Sequence, residues 1–411
     1  MADPVIRPQN GLLLIAPQSA EGTAATLDPA LHAVPIEADS FSYGNPFTSE
    51  DSNETNGSLV QSAPLIVGQA VPLSFQFRLK GAGAGTAYTS SVKPPHHAVY
   101  QACGLRGFFQ AAIAAVALTA GTTTSATLGT GFAATAQLYR GMPLVLSGGP
   151  GAGLMPFVTD YTAGKVATLS DLMPQALTTS TLAAIPANWT YAGTTPLDAA
   201  SRLTDHPPHT VGWYEDGNFY QWIDVRGVLD LEGRSARPGT ATVRMQGTFT
   251  GSSTVAMPTN AILLNHSAPI LTKGAGSASA IQVMRKELPI SAWSLRNGGD
   301  VEGVDDPNTA YGFGPGQIGG RKPVFGADPL ATLVSTQDQM GEVGAGATGP
   351  IALRLGQAAG NRVGILGTQA QPIKADPAKR LSLRSLDREW QLTSPGRDAQ
   401  LRDSERFLIF S

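Results

Sequence analysis

Two alternating runs joined by a turn constrain this chain more than any other feature. From residue 223 to 231 the odd positions carry Ile223, Val225, Gly227, Leu229 and Leu231, and the even ones carry Asp224, Arg226, Val228 and Asp230. From 241 to 249, Ala241, Val243, Met245, Gly247 and Phe249 alternate with Thr242, Arg244, Gln246 and Thr248. Period two places successive side chains on opposite faces, so each run predicts a strand with one buried face. Pro238 and Gly239 lie between the runs and read as the turn of a hairpin. Upstream, the aromatic run around Trp213 and Tyr214 ends at Asp216 and Gly217, a second turn. Three strands joined by short turns make an antiparallel meander.

Composition points the same way. Charged residues are 14% of the 411, well below the roughly 25% usual for soluble domains. A surface so poor in charge is either covered by partners or prone to associate. The 47 glycines and 30 prolines suit a turn-rich, all-β chain. A net charge of -3 argues against a protein that grips nucleic-acid phosphates from outside. One cysteine, Cys103, excludes an internal disulfide and a thiolate zinc site. The longest apolar run near the N-terminus, residues 12–16, is too short for a signal sequence, and residues 111–119 are too few to span a bilayer. The chain reads as cytoplasmic when made, with no membrane partner.

Four segments follow. Residues 1–60 are polar and irregular and read as an extended arm ordered by a neighbour. Residues 61–120 begin a β domain: Leu73, Phe75, Phe77 and Leu79 alternate with Ser74, Gln76, Arg78 and Lys80, and residues 95–105 form the best helix candidate, with Val99, Ala102 and Cys103 inward. Residues 121–193 hold only Arg140, Asp160, Lys165 and Asp171 as charges, and read as a small inserted β module. Residues 194–411 resume the main domain, with strands expected near 260–270, 280–286, 350–355, 363–368 and 381–392, and a terminal period-two strand over 404–410.

Chemical motifs are weak. Gly314, Gly316 and Gly319, and again Gly344, Gly346 and Gly349, match a dinucleotide-binding spacing, but no strand-to-helix junction surrounds either set. His96 with His97 and His206 with His209 lack further ligands at metal spacing. Asp305 and Asp306 precede Pro307 in a turn, and Cys103 reads as a packed small side chain. We therefore expect no catalytic, cofactor or metal site, and no enzyme.

The order of motifs resembles the tail tube proteins of long-tailed bacteriophages. The strand from Phe75 to Gly81, the segment Gln101, Ala102, Cys103, Gly104 and Leu105, and the meander with its Asp216–Gly217 turn, Gly227 and Pro238–Gly239 turn carry it. So do residues 294–308, residues 318–329, the segment at Gly360, Asn361, Arg362 and Val363, and the closing strand with Phe407 and Phe410. The likeness is collinear over about residues 60–120 and 208–411. It implies a mostly β subunit, an antiparallel β-sandwich or barrel with a short helix. Such a subunit would form hexameric rings that stack into a virion tube. DNA would pass through the lumen without specific binding, and tape-measure, distal tail and tail-terminator proteins would be the other partners. Asp224 and Arg226 are the expected lumen or inter-subunit positions, and the 121–193 module is expected on the outer face. The alternatives are another β-rich virion protein (distal tail, head-completion or decoration) and a carbohydrate-binding β-sandwich.

Overall fold

The structure is a computed structural model and describes residues 5–7, 9–55, 57–261, 267–272, 281–309 and 312–411. Its principal strands are β1 (Gly11–Pro17), β2 (Val71–Arg78), β3 (Leu105–Gln110), β4 (Asn188–Gly193), β5 (His209–Glu215), β6 (Asn218–Arg234) and β7 (Thr240–Thr254). They continue as β8 (Ala292–Arg296), β9 (Val324–Ala327), β10 (Gly349–Leu355), β11 (Val363–Arg380), β12 (Leu383–Thr393) and β13 (Phe407–Phe410). All their pairings are antiparallel, and the fold is mostly β with a few short helices, as the period-two runs predict.

Two layers arise from this sheet. One runs β1, β5, β6, β7, β2. The end of β6 then passes through β8, β9 and β12 to β11. The second layer runs β10, β11, β13, β4, β3. A single core joins them: Phe75, Phe77, Val243 and Leu229 from the first meet Tyr191, Ile365, Leu408 and Phe410 from the second. The helix α1 (His97–Ala102) is wedged between. Its Tyr100 ring lies 4.9 Å from Tyr191, 5.5 Å from Phe410 and 6.1 Å from Phe77, spacings typical of favourable aromatic pairs. The helix is shorter than the 95–105 expected, because the two prolines and His96 precede it and Gly104, at φ +66°, leads directly into β3. The sheet does not close into a barrel within the described residues.

The meander forms with two revisions. Asp216 and Gly217, at φ +47° and +100°, make a two-residue turn closed by Glu215 and Asn218. Both central residues at positive φ match the twist of a hairpin. The loop between β6 and β7 is longer than a Pro-Gly turn: residues 235–239 intervene, with Ala236 at φ +56°. Pro238 bridges to Leu271, and the Gly239 carbonyl accepts from the Leu79 amide. Gly227 serves packing, since a Cβ there would stand 2.5 Å from Met245 Cγ. Over 260–270 the described residues form no strand, and 262–266 lie outside them.

The N-terminal arm is corrected in part. β1 pairs with β5 over its whole length, from Gly11 opposite Glu215 to Pro17 opposite His209, and buries Leu13, Leu14, Ile15 and Ala16. The short apolar run at 12–16 is therefore a strand covered on both faces, not part of an arm. Residues 45–69, by contrast, stand off the core. Phe47–Glu50 pairs with Leu65–Gly68, and neither strand has a buried residue.

The middle block also shifts its boundaries. Residues 113–185 form a three-stranded and a four-stranded sheet around their own core, which includes Leu118, Tyr139, Leu146, Tyr161 and Leu169. Asn188–Gly193 belongs instead to the main sheet, where Asn188 pairs with Gln110. The block thus leaves and re-enters between two paired strands. Its docking surface is the back of the second layer. Val363, Ile365, Leu408 and Phe410 face the main core, while Gly364, Leu366, Phe407 and Ile409 alternate with them and meet the block through Phe157. The last strand is therefore apolar on both faces rather than in period two.

A module inserted clear of its host could be removed freely, but this one shares an apolar interface with the second layer. Replacing residues 111–187 by a short Gly/Ser linker would leave strand ends that a linker can join, yet would bare Ala352, Leu366, Phe407 and Ile409. The soluble yield of that variant should fall sharply. Adding Leu366→Thr, Phe407→Thr and Ile409→Thr should restore it, as read by soluble fraction and thermal unfolding. A deletion variant as soluble and stable as the full chain would refute the docking role.

Candidate assembly surfaces

The two residues singled out by sequence for a lumen or subunit contact lie inside the subunit. β6 bulges between Ile223 and Arg226, with Asp224 at φ +56°. A bulge breaks the alternation and re-aims the side chains around it. The Arg226 guanidinium is fully buried and donates to the His206 carbonyl at 2.7 Å, the Gly316 carbonyl at 2.8 Å and Glu21 Oε1 at 2.7 Å. The Asp224 carboxylate accepts from the Gly22 amide at 2.8 Å and Gln18 Nε2 at 3.3 Å, while its own amide donates to Gln18 Oε1. Burial pushes the Asp224 carboxyl above its ordinary range. Residues 18–22 thus strap over both, and the two buried side chains hold the strap in place.

The other chemical candidates are likewise packed. Burial pushes the Cys103 thiol up to about 12, which leaves no nucleophilic thiolate at neutral pH. His97 bonds the Tyr191 hydroxyl at 2.7 Å, and burial lowers its ring to about 3. His96 stacks on Phe77 at 3.7 Å between ring centres, and His206 bonds the Thr194 carbonyl. His209 is fully buried and is lowered to about 4 by that burial. Gly316 lends its carbonyl to Arg226, and Gly349 begins β10, so neither glycine set opens a helix. Asp306 caps its own turn through Asn308. Among the described residues no three of His, Cys, Asp and Glu stand close enough to hold a metal.

Charge is displayed instead on the open face of the first layer and its continuation. Cross-strand ion pairs join Arg244 to Asp230 at 2.9 Å and Arg296 to Glu389 at 2.6 Å, and Arg78 pairs with Glu37. Beside them lies a wide concavity of about 940 Å³, with Arg78, Arg234, Arg237 and Arg296 set against Glu232, Asp328, Asp387 and Glu389. Four cations and four anions cancel. A polyanion passing such a face finds no net charge to hold it.

Two projections carry exposed apolar side chains. The first is the hairpin at 45–69, with Leu59, Val60, Leu65 and Ile66 in solvent. The second is the outer half of the β11–β12 hairpin, whose tip exposes Leu381 and Leu383. A loop bound beside that tip through Ala331, whose amide donates to the Arg384 carbonyl, adds exposed Leu333 and Val334. Period-two reading missed both projections. A usable signal was charge asymmetry: no Lys or Arg occurs between Arg7 and Arg78, whereas Lys374, Lys379, Arg380 and Arg384 crowd the tip.

No family model and no curated protein sequence matches this chain.

Proposed function

We propose that this chain is the structural subunit of a self-assembling tube, of the kind the tail tube resemblance implies: hexameric rings that stack and let DNA pass. The observation that carries this reading is the pair of exposed apolar projections on a charge-poor chain. Single exposed apolar residues are ordinary, but clustered ones mark contact sites. The charge-balanced sheet face is suited to line a passage, and the chemical candidates are all consumed by packing. Tape-measure, distal tail and tail-terminator proteins are the further partners of such a tube, and the virion is its place.

Purified protein should sediment as rings or longer assemblies rather than as a 42.6 kDa species. Negative-stain images should show six-fold particles with an open centre. A chain that remains monomeric at high concentration, by light scattering and sedimentation, would overturn the reading. Rings that never stack would point to a different virion role.

A further inference from the structure

We propose that the 45–69 hairpin of one copy docks on the β11–β12 hairpin tip of a second copy, forming a head-to-tail contact along the strand direction. The contact rests on the self-assembly reading and specifies its surfaces.

Strand register puts the two projections at opposite ends of the subunit. Val71 of β2 lies opposite Gly247, and the 45–69 hairpin leads directly into that end. At the other end Arg78 lies opposite Thr240, Thr240 opposite Glu232, and Glu232 opposite Ser294. β8 and β9 carry the same direction onward, with Trp293 opposite Ala327 and Ala327 opposite Arg388. The tip at Leu381 lies seven residues beyond Arg388, past this second end. A patch at one end that fits a patch at the other is a heterologous contact, and repetition of it builds a linear assembly.

Charge selects the partner. Glu50, Asp51 and Glu54 are exposed on the first hairpin, with no cation between Arg7 and Arg78. At the tip itself Lys379 and Arg384 face each other across the hairpin with no acid between them, while Lys374 and Arg380 are held by Asp387 and Asp328. Lys379 and Arg384 are exposed and in no ion pair among the described residues, as are the three acids. Each hairpin repels its own kind and attracts the other, which steers association and suppresses like-to-like pairing. The apolar groups lie beside the charges: Leu59, Val60, Leu65 and Ile66 on one side, Leu381, Leu383, Leu333 and Val334 on the other. Pro372 and Pro377 lie in β11 as it runs to the tip, and prolines discourage indiscriminate strand addition at an edge. The tip is thereby left to recognise its partner through side chains.

The native chain has one cysteine, and it is buried, so engineered thiols report cleanly. Ile66→Cys and Leu381→Cys are made as separate full-length proteins, mixed at equal amounts and mildly oxidised. The mixed dimer should exceed either like-with-like dimer severalfold, and a chain carrying both substitutions should give a ladder of multimers on a non-reducing gel. In parallel, Lys379→Glu with Arg384→Glu should weaken association by about tenfold at low salt, and adding Glu50→Lys and Asp51→Lys should recover most of it. Thermal unfolding of the subunit should be unchanged in every variant, because each substituted side chain is exposed. If wild type assembles while the thiols give no ladder and charge reversal has no effect, the contact is elsewhere and the self-assembly reading survives. A wild type that stays monomeric overturns both.

Discussion

Deleting residues 1–17 should abolish cooperative folding of the subunit. The strand removed pairs along its full length with β5 and buries Leu13, Leu14 and Ile15. Burying one large aliphatic side chain stabilises by about 1.5–3 kcal/mol, so these three account for roughly 5–9 kcal/mol as an upper estimate. A whole domain is stable by only about 5–15 kcal/mol. The deletion also bares the hydrogen-bonding edge of β5, which becomes a template for aggregation. It further frees the strap at 18–22, so that Arg226 and Asp224 lose partners they hold in the interior. Far-UV circular dichroism and a thermal scan should show no sharp transition, and most of the protein should be insoluble. Replacing residues 45–69 with a short Gly/Ser linker is the contrast: it removes more chain yet should leave the transition within a few degrees of wild type. If the first variant melts like wild type, β1 contributes nothing to the core and the fold described above is wrong at its edge.

That contrast also shows where the sequence was legible. β2 and β7 announce themselves because each buries mainly one face, so period two survives in Phe75, Phe77, Val243 and Met245; β6 alternates in sequence but is buried at every residue from Asp224 to Leu229. The Asp216–Gly217 turn is legible for a local reason: its backbone needs two positive φ angles in succession. β1 escapes because a five-residue apolar run is equally a buried strand or part of something longer, and only its pairing with residues about 200 positions away decides. The same holds for residues 363–366 and 407–410, whose unbroken apolar runs record a core on one face and the middle block on the other, and for 351–355, where only Arg354 interrupts the run. Asp224 and Arg226 read as a solvated face by alternation, but the bulge and a strap from the chain's first 22 residues enclose them. The strands expected near 363–368 and 381–392 leave out residues 369–380, where Pro372, Asp376 and Pro377 are poor strand formers. The pairing continues through them to a tip at 380–383.

The largest effect expected from a single substitution belongs to Arg354. Its side chain lies 2% exposed between the second layer and the middle block, and its Nη2 is 2.6 Å from Asp171, itself 3% exposed. Nε donates to the Met155 carbonyl at 3.1 Å, and the guanidinium lies 4.8 Å from the centre of the Phe157 ring. Every one of these partners is in the block, so this residue of β10 is a polar tie between the block and the sheet, beside the apolar face of Leu366, Phe407 and Ile409. Arg354→Met keeps much of the volume but leaves the buried Asp171 carboxylate without its cation, with only the Ser170 hydroxyl still donating to it. Breaking a buried pair in this way costs about 3–5 kcal/mol. Removing both charges, as Arg354→Met with Asp171→Leu, should recover most of that loss, because no uncompensated charge then remains. Chemical denaturation of the two single variants and the double variant gives the coupling directly. The exposed pair Lys374–Asp387 is slightly shorter, at 2.5 Å, yet its side chains are 33% and 56% exposed. Lys374→Met should therefore cost little beside Arg354→Met, since water already solvates both groups. If the two lysine and arginine variants lose similar stability, distance rather than burial governs these pairs, and Arg354 is not what clamps the block to the sheet.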